Sequence, residues 1–148
     1  MTPMADTIPY TVIGGDLGAG KTTLLNNLLR NSQGLRLAVL VNDFGDINID
    51  ADLITSHDGE TINLASGCIC CSLADGFMLA LNRVSKRRGE IDHIVVEASG
   101  VADPAKIGHY GAVLKLDLQG VMVLADAEQV RDKAANKYVG DTVVHQLL

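Results

Sequence analysis

Short β-branched, apolar runs alternate along this chain with longer stretches of helical periodicity, the pattern of βαβ units and a mainly parallel sheet. Thr11-Val12-Ile13 closes a first strand that feeds a glycine-rich turn. Leu24, Leu25, Leu28 and Leu29 recur at helical spacing and predict a helix over Lys21–Arg30, ended by the polar Asn31-Ser32-Gln33-Gly34. Leu37-Ala38-Val39-Leu40-Val41 is continuously apolar, as a strand buried on both faces is. The polar, acidic residues 42–58 are not expected to be regular throughout. Further on, Thr61–Leu64 predicts a short strand, 73–84 a helix, 94–96 a buried strand, 120–124 another strand and 127–136 a helix. Residues 143–148 stop in mid-pattern without a cap or polar tail, so the reading is one domain over 1–148, incomplete at its C-terminal end.

Composition narrows the classes. With 148 residues, 47% of them hydrophobic and 20% charged, the chain can bury one core and is not of disordered composition. A net charge of −6 gives no electrostatic case for nucleic acid. The one basic run, Lys86-Arg87-Arg88, suits the solvated end of a helix. No apolar stretch approaches the roughly 20 residues that span a bilayer, and residues 1–10 carry no signal-peptide pattern. A cytoplasmic protein without a membrane partner is expected, in a compartment where thiols stay reduced.

Gly15-Asp16-Leu17-Gly18-Ala19-Gly20-Lys21-Thr22-Thr23 fits the pattern G-x-x-x-x-G-K-[ST] between a predicted strand and a predicted helix, the context the motif requires. Gly15, Gly18, Ala19 and Gly20 would turn backbone N–H groups toward phosphate oxygens, and the helix would present its positive end. Lys21 would bridge the β- and γ-phosphates, Thr22 would ligate Mg²⁺, and Thr23 would join them in binding the nucleotide. Glu97 ends the third apolar run and suits a Mg²⁺-bound water. Gly100, three residues on, suits a backbone N–H sensing the γ-phosphate. Lys21 and Glu97 are thus the candidate catalytic residues. Asn42-Asp43-Phe44-Gly45-Asp46 stands where a first switch segment belongs, its acids able to reach Mg²⁺ or to cap a turn.

Cys68, Cys70 and Cys71 are the only cysteines. Thiolates clustered this tightly in a reducing compartment suit a soft or borderline divalent metal such as zinc. A straight strand alternates its side chains, so either the segment turns at Gly67 or only two sulfurs bind at once. His57 could add a ligand, although a lone loop histidine is more often solvated; His93, His109 and His145 acquire no role.

Four motifs in order resemble the CobW family of metal-chaperone P-loop GTPases across essentially the whole chain. They are Gly15 to Asn26, Val41-Asn42-Asp43-Phe44-Gly45-Asp46, Gly67-Cys68-Ile69-Cys70-Cys71, and Glu97-Ala98-Ser99-Gly100-Val101-Ala102-Asp103-Pro104. The resemblance implies a P-loop NTPase fold, a mainly parallel sheet flanked by helices. It also implies GTP hydrolysis with Mg²⁺, and zinc, or in some members Co²⁺ or another divalent metal, held by Cys68, Cys70 and Cys71 and passed to a client protein or cofactor pathway. Thr22, Asp46 and Glu97 are the other metal candidates, toward Mg²⁺ or the carried ion. This sequence departs from the family pattern where Asp43 and Asp46 replace the usual glutamates and Ala98 the usual threonine. No guanine-reading N-K-x-D is present; Asn136-Lys137-Tyr138-Val139 imitates only its start. From the residues alone, a small-molecule kinase with a structural zinc and a nucleotide-independent metal buffer remain alternatives.

Overall fold

The computed structural model describes residues 7–15, 19–41, 53–58, 61–65, 67–72, 76–98, 104–114, 116–138 and 140–147. The strands are β1 (Ile8–Gly15), β2 (Leu37–Val41), β3 (Ile54–Asp58), β4 (Thr61–Leu64), β5 (Ile69–Ser72), β6 (His93–Glu97) and β7 (Leu116–Leu124). The helices are α1 (Lys21–Arg30), α2 (Phe77–Ser85), α3 (Pro104–Tyr110), α4 (Val130–Ala134) and α5 (Gly140–Leu147). One seven-stranded sheet runs in the order β3-β4-β5-β2-β6-β1-β7. β5, β2, β6, β1 and β7 pair in parallel, while β3 and β4 add an antiparallel meander at one end. This is the α/β, mainly parallel sheet that the alternating pattern predicts.

Two core layers sandwich the sheet. Leu25 and Leu29 of α1 pack over Ile13, Val39, Val41 and Val95 on one face. Ala80, Leu81 and Val84 of α2 cover Leu40, Ile94 and Val96 on the other, with Ile107 of α3 against the same layer. All five residues of β2 are buried, because both faces are covered, and this is why its sequence shows no alternation. β7 lies at the opposite edge from the meander, and Leu118, Val121 and Met122 stay exposed.

Several elements differ from the predicted bounds. β7 begins at Leu116, its first half interrupted by the exposed Asp117 and Gln119 of an edge strand, and Ile54–Asp58 forms an edge strand at the end of the stretch not expected to be regular throughout. The helix predicted over 127–136 is shortened to Val130–Ala134. Asp126 turns the chain first, its carboxylate accepting from Glu128 N at 2.9 Å and its carbonyl from Val130 N at 2.8 Å. The helix predicted over 73–84 appears as Phe77–Ser85, its first three residues lying outside the described ones. α3 has no apolar periodicity long enough to announce it. Asn136 is occupied locally, its Oδ1 accepting from Tyr138 N at 2.8 Å in the turn before α5.

Candidate functional site

Parallel strands leave their C-terminal ends on one side of the sheet, and ligands of open α/β sheets bind there. The ends of β1, β6 and β7 meet at that edge. Gly15 pairs with Leu124, and Ala98 N donates to Ile13 O at 2.8 Å, extending the β1–β6 ladder past Glu97. Gly15 adopts φ +135°, and a Cβ there would stand 2.4 Å from the Leu124 carbonyl oxygen. Only glycine lets the chain leave β1 in this direction while staying against β7. Gly20, in left-handed conformation, starts α1; no side chain caps it and no acid lies in the first turn. Among the described residues, no capping side chain and no first-turn acid matches the N–H groups and positive end of α1.

Lys21 is the first residue of α1 and only 7% exposed. Burying an ammonium is costly unless oxygens replace its water. Three do. Lys21 Nζ donates to Gly15 O at 2.7 Å and Ala98 O at 3.4 Å, and lies 3.5 Å from Glu97 Oε1, whose side chain is also largely buried. The lysine thus ties the start of the loop to the end of β6. Sequence reasoning singled out Lys21 and Glu97 for phosphate and Mg²⁺ without pairing them, and it gave no sign of the Ala98 carbonyl, since a backbone acceptor leaves no trace in residue type. Thr22 is half-buried and Thr23 exposed on the same turn, with Ala19 just before it. Gly18, Asp43, Asp46 and Gly100 lie outside the described residues.

The cysteines sit two strands away, across β2. A turn at Gly67 (φ +81°), closed by Gly67 N to Leu64 O at 3.1 Å and Leu64 N to Cys68 O at 2.9 Å, joins β4 to β5. From Ile69 the motif runs as an extended strand paired on both sides. Cys70 stands between Val39 and Ile62, and Cys71 between Leu40 and Thr61. Cys68 and Cys70 belong to the α1-side core, and Cys71 to the α2-side core. All three are buried thiols, none in a disulfide. Leu37 N donates to Cys68 Sγ at 3.4 Å, and Cys68 Sγ donates to Leu35 O at 3.7 Å. Among the described residues no group of three or more His, Cys, Asp or Glu side chains is gathered as a metal cage. His57 is in β3, His93 meets Thr11 Oγ1 at 2.9 Å, and His109 and His145 are exposed.

Burial sets the thiol chemistry. Cys70 is pushed up to about 12, first by desolvation and then by the neighbouring Cys71. Cys71 is also raised by burial, against the opposing influence of the Thr61 hydroxyl and the Arg83 and Arg87 charges. A thiol raised from 9.0 to about 12 contributes stability that is complete below 9.0 and lost as pH rises toward the folded value. Unfolding free energies measured across that window are expected to fall with a slope of up to about 1.4 kcal/mol per pH unit. Cys70→Ala should flatten the slope, and an equal slope in that variant would show another group to be responsible.

A buried lysine at the head of a helix, a glycine turn leaving a parallel strand, and an acid ending the adjacent strand define a P-loop nucleotide-binding domain. The family model for the nucleotide-binding domain of CobW/HypB/UreG matches residues 9–148, and the chain belongs to this family. It is 37% identical over 144 residues to the zinc chaperone CobW of a Sinorhizobium species, an alignment covering 90% of this chain and 40% of that protein. It is 35% identical over 136 residues to zinc-regulated GTPase metalloprotein activator 1 of Schizosaccharomyces pombe, covering 84% of this chain and 33% of that one. The crystal structure of Zn(II)-bound YjiA GTPase from Escherichia coli superposes with a TM-score of 0.68 at 32% identity, covering 93% of this chain and 46% of that chain. The chain therefore spans less than half the length of these relatives.

Proposed function

We propose that this chain is the nucleotide- and metal-binding core of a GTP-dependent zinc chaperone. In this reading zinc is cargo, while GTP is bound and hydrolysed to control its release. Lys21 and the first-turn amides of α1 would hold the phosphates, and GTP would supply the energy of the cycle. Thr22, with Glu97 and the acids Asp43 and Asp46, would hold Mg²⁺ directly or through water. Cys68, Cys70 and Cys71 would take the zinc, with Co²⁺ as a second ion of suitable chemistry, and a client protein or cofactor pathway would receive it. The reducing cytoplasm fits three unbridged thiols. No helix among the described residues is long and apolar enough to cross a membrane.

The observation that carries the coupling is the sheet register. Cys71 pairs with Leu40, Leu40 with Val96, and Val96 with Val12. The metal motif and the Glu97 strand end therefore lie level in one sheet, separated by β2 alone, at about 10 Å for two strand spacings. β2 runs straight into the predicted switch segment. Events at the phosphates have one strand to cross to reach the thiols.

Competition with a chromophoric chelator gives the test. Zinc affinity is expected to rise about tenfold with Mg²⁺ and a non-hydrolysable GTP analogue, a coupling of about 1.4 kcal/mol, and GTP affinity must rise equally with zinc. The Cys68→Ser/Cys70→Ser/Cys71→Ser variant should lose the effect. Zinc affinity unchanged by bound nucleotide would contradict the coupling and leave a static site.

A further inference from the structure

The three sulfurs do not fit one ion in this conformation. Around a single zinc with bonds near 2.3 Å, thiolate sulfurs lie no more than about 4.6 Å apart. Here Cys68 and Cys70 belong to one core layer and Cys71 to the opposite layer, with the backbone of β5 between them. The Gly67 turn precedes the motif and leaves the motif itself extended. All three side chains are covered, at 1%, 0% and 3% exposure, and Cys68 is tethered to Leu35 and Leu37.

Building on the reading of these thiols as zinc carriers, we propose that zinc is captured by all three cysteines only when β5 gives up its pairing with β2 and β4 around Cys70 and Cys71. The paired sheet is a closed form that withholds Cys71 from the other two. Strand geometry dictates this, because adjacent residues of an extended segment cannot share a face. The fold supplies a short element to open. β5 has four residues, and among the described strands only the meander of β3 and β4 lies outside it. The tight turn from β4 is a local contact with little chain to close, so it can hold the segment near its place while the strand is bent. Zinc uptake is then gated by opening of the sheet.

The test uses this chain and Zn²⁺ alone. The capture rate is expected to level off at high zinc, at the opening rate, and amides of residues 69–71 should exchange faster in the zinc-bound protein. Ile62→Ala, which trims the β4 residue opposite Cys70, should raise the plateau several-fold. Should that variant fail to fold, amide exchange in the unmodified chain decides. Three-thiolate charge-transfer absorption on Co²⁺ substitution, reduced by Cys71→Ser, is expected as well. A capture rate proportional to zinc throughout, with protected amides and an unaffected Cys71→Ser variant, would overturn the proposal in favour of Cys68 and Cys70 binding in the intact sheet. Zinc bound equally well by the triple serine variant would remove the carrier reading itself, and this proposal with it.

Discussion

Glu97→Ala should cost about 3 kcal/mol of stability, because it strands a buried ammonium without its carboxylate. Lys21 is 7% exposed and Glu97 Oε1 lies 3.5 Å from its Nζ, so water cannot readily replace the lost partner. The carbonyls of Gly15 and Ala98 remain, which keeps the loss toward the lower end of the range for a broken buried pair. Removing both charges tells stability from binding. Lys21→Met/Glu97→Gln should recover most of the stability, since a neutral pair of similar volume carries no unpaired charge. It should nevertheless lose nucleotide affinity by about 100-fold or more, because the only buried cation among the described residues is gone. Urea denaturation together with titration of a fluorescent GTP analogue measures both quantities. A double variant as unstable as Glu97→Ala would show that the carboxylate supports the fold through other contacts.

Gly15→Ala is expected to be similarly severe for a different reason. The new methyl would overlap the Leu124 carbonyl oxygen at 2.4 Å, and an L-residue would have to adopt φ +135°. Strain and overlap together suggest a loss of about 4 kcal/mol. Relief would require β1 to part from β7 where the phosphate loop begins, so nucleotide binding should fall with stability. Gly34→Ala is the control. Its φ is +83° but no atom of the described residues lies within 4 Å of the added carbon, so only the backbone penalty of about 1 kcal/mol applies. Thermal unfolding of the two variants isolates the steric part by difference. Equal losses would mean that the β1–β7 contact yields easily.

The elements read most faithfully are those with an unbroken apolar run or a clear apolar stripe, and Thr61–Leu64 also appears with its expected bounds. Lys21–Arg30 and Leu37–Val41 appear with their expected bounds, since α1 carries an apolar stripe and β2 is buried on both faces. Edge elements were less legible. β3 and β7 lie at the two edges of the sheet, so polar residues interrupt the pattern of β3 and of the first half of β7 although backbone pairing makes them strands. At the site, Gly15, Gly20 and Lys21 were visible because the G-x-x-x-x-G-K-[ST] pattern is specified by residue type. The Ala98 carbonyl and the Leu124 backbone were not, because any residue supplies those atoms.

The sequence by itself determined the class of this protein. Its strand–loop–helix order, its G-x-x-x-x-G-K-T loop and its three clustered cysteines mark an α/β nucleotide-binding domain of the CobW/HypB/UreG family. Spacing also limited the sulfurs to two arrangements, turned or alternating. Only the tertiary structure decided between them for this conformation. It pairs β5 on both sides, holding the motif extended and sending Cys70 and Cys71 into different core layers. It also decided that β2 alone separates the cysteines from Glu97, a consequence of strand order that residues 27 positions apart cannot express in one dimension. Local chemistry is written in residue types, whereas facing and adjacency follow from which strands find each other as the core is buried.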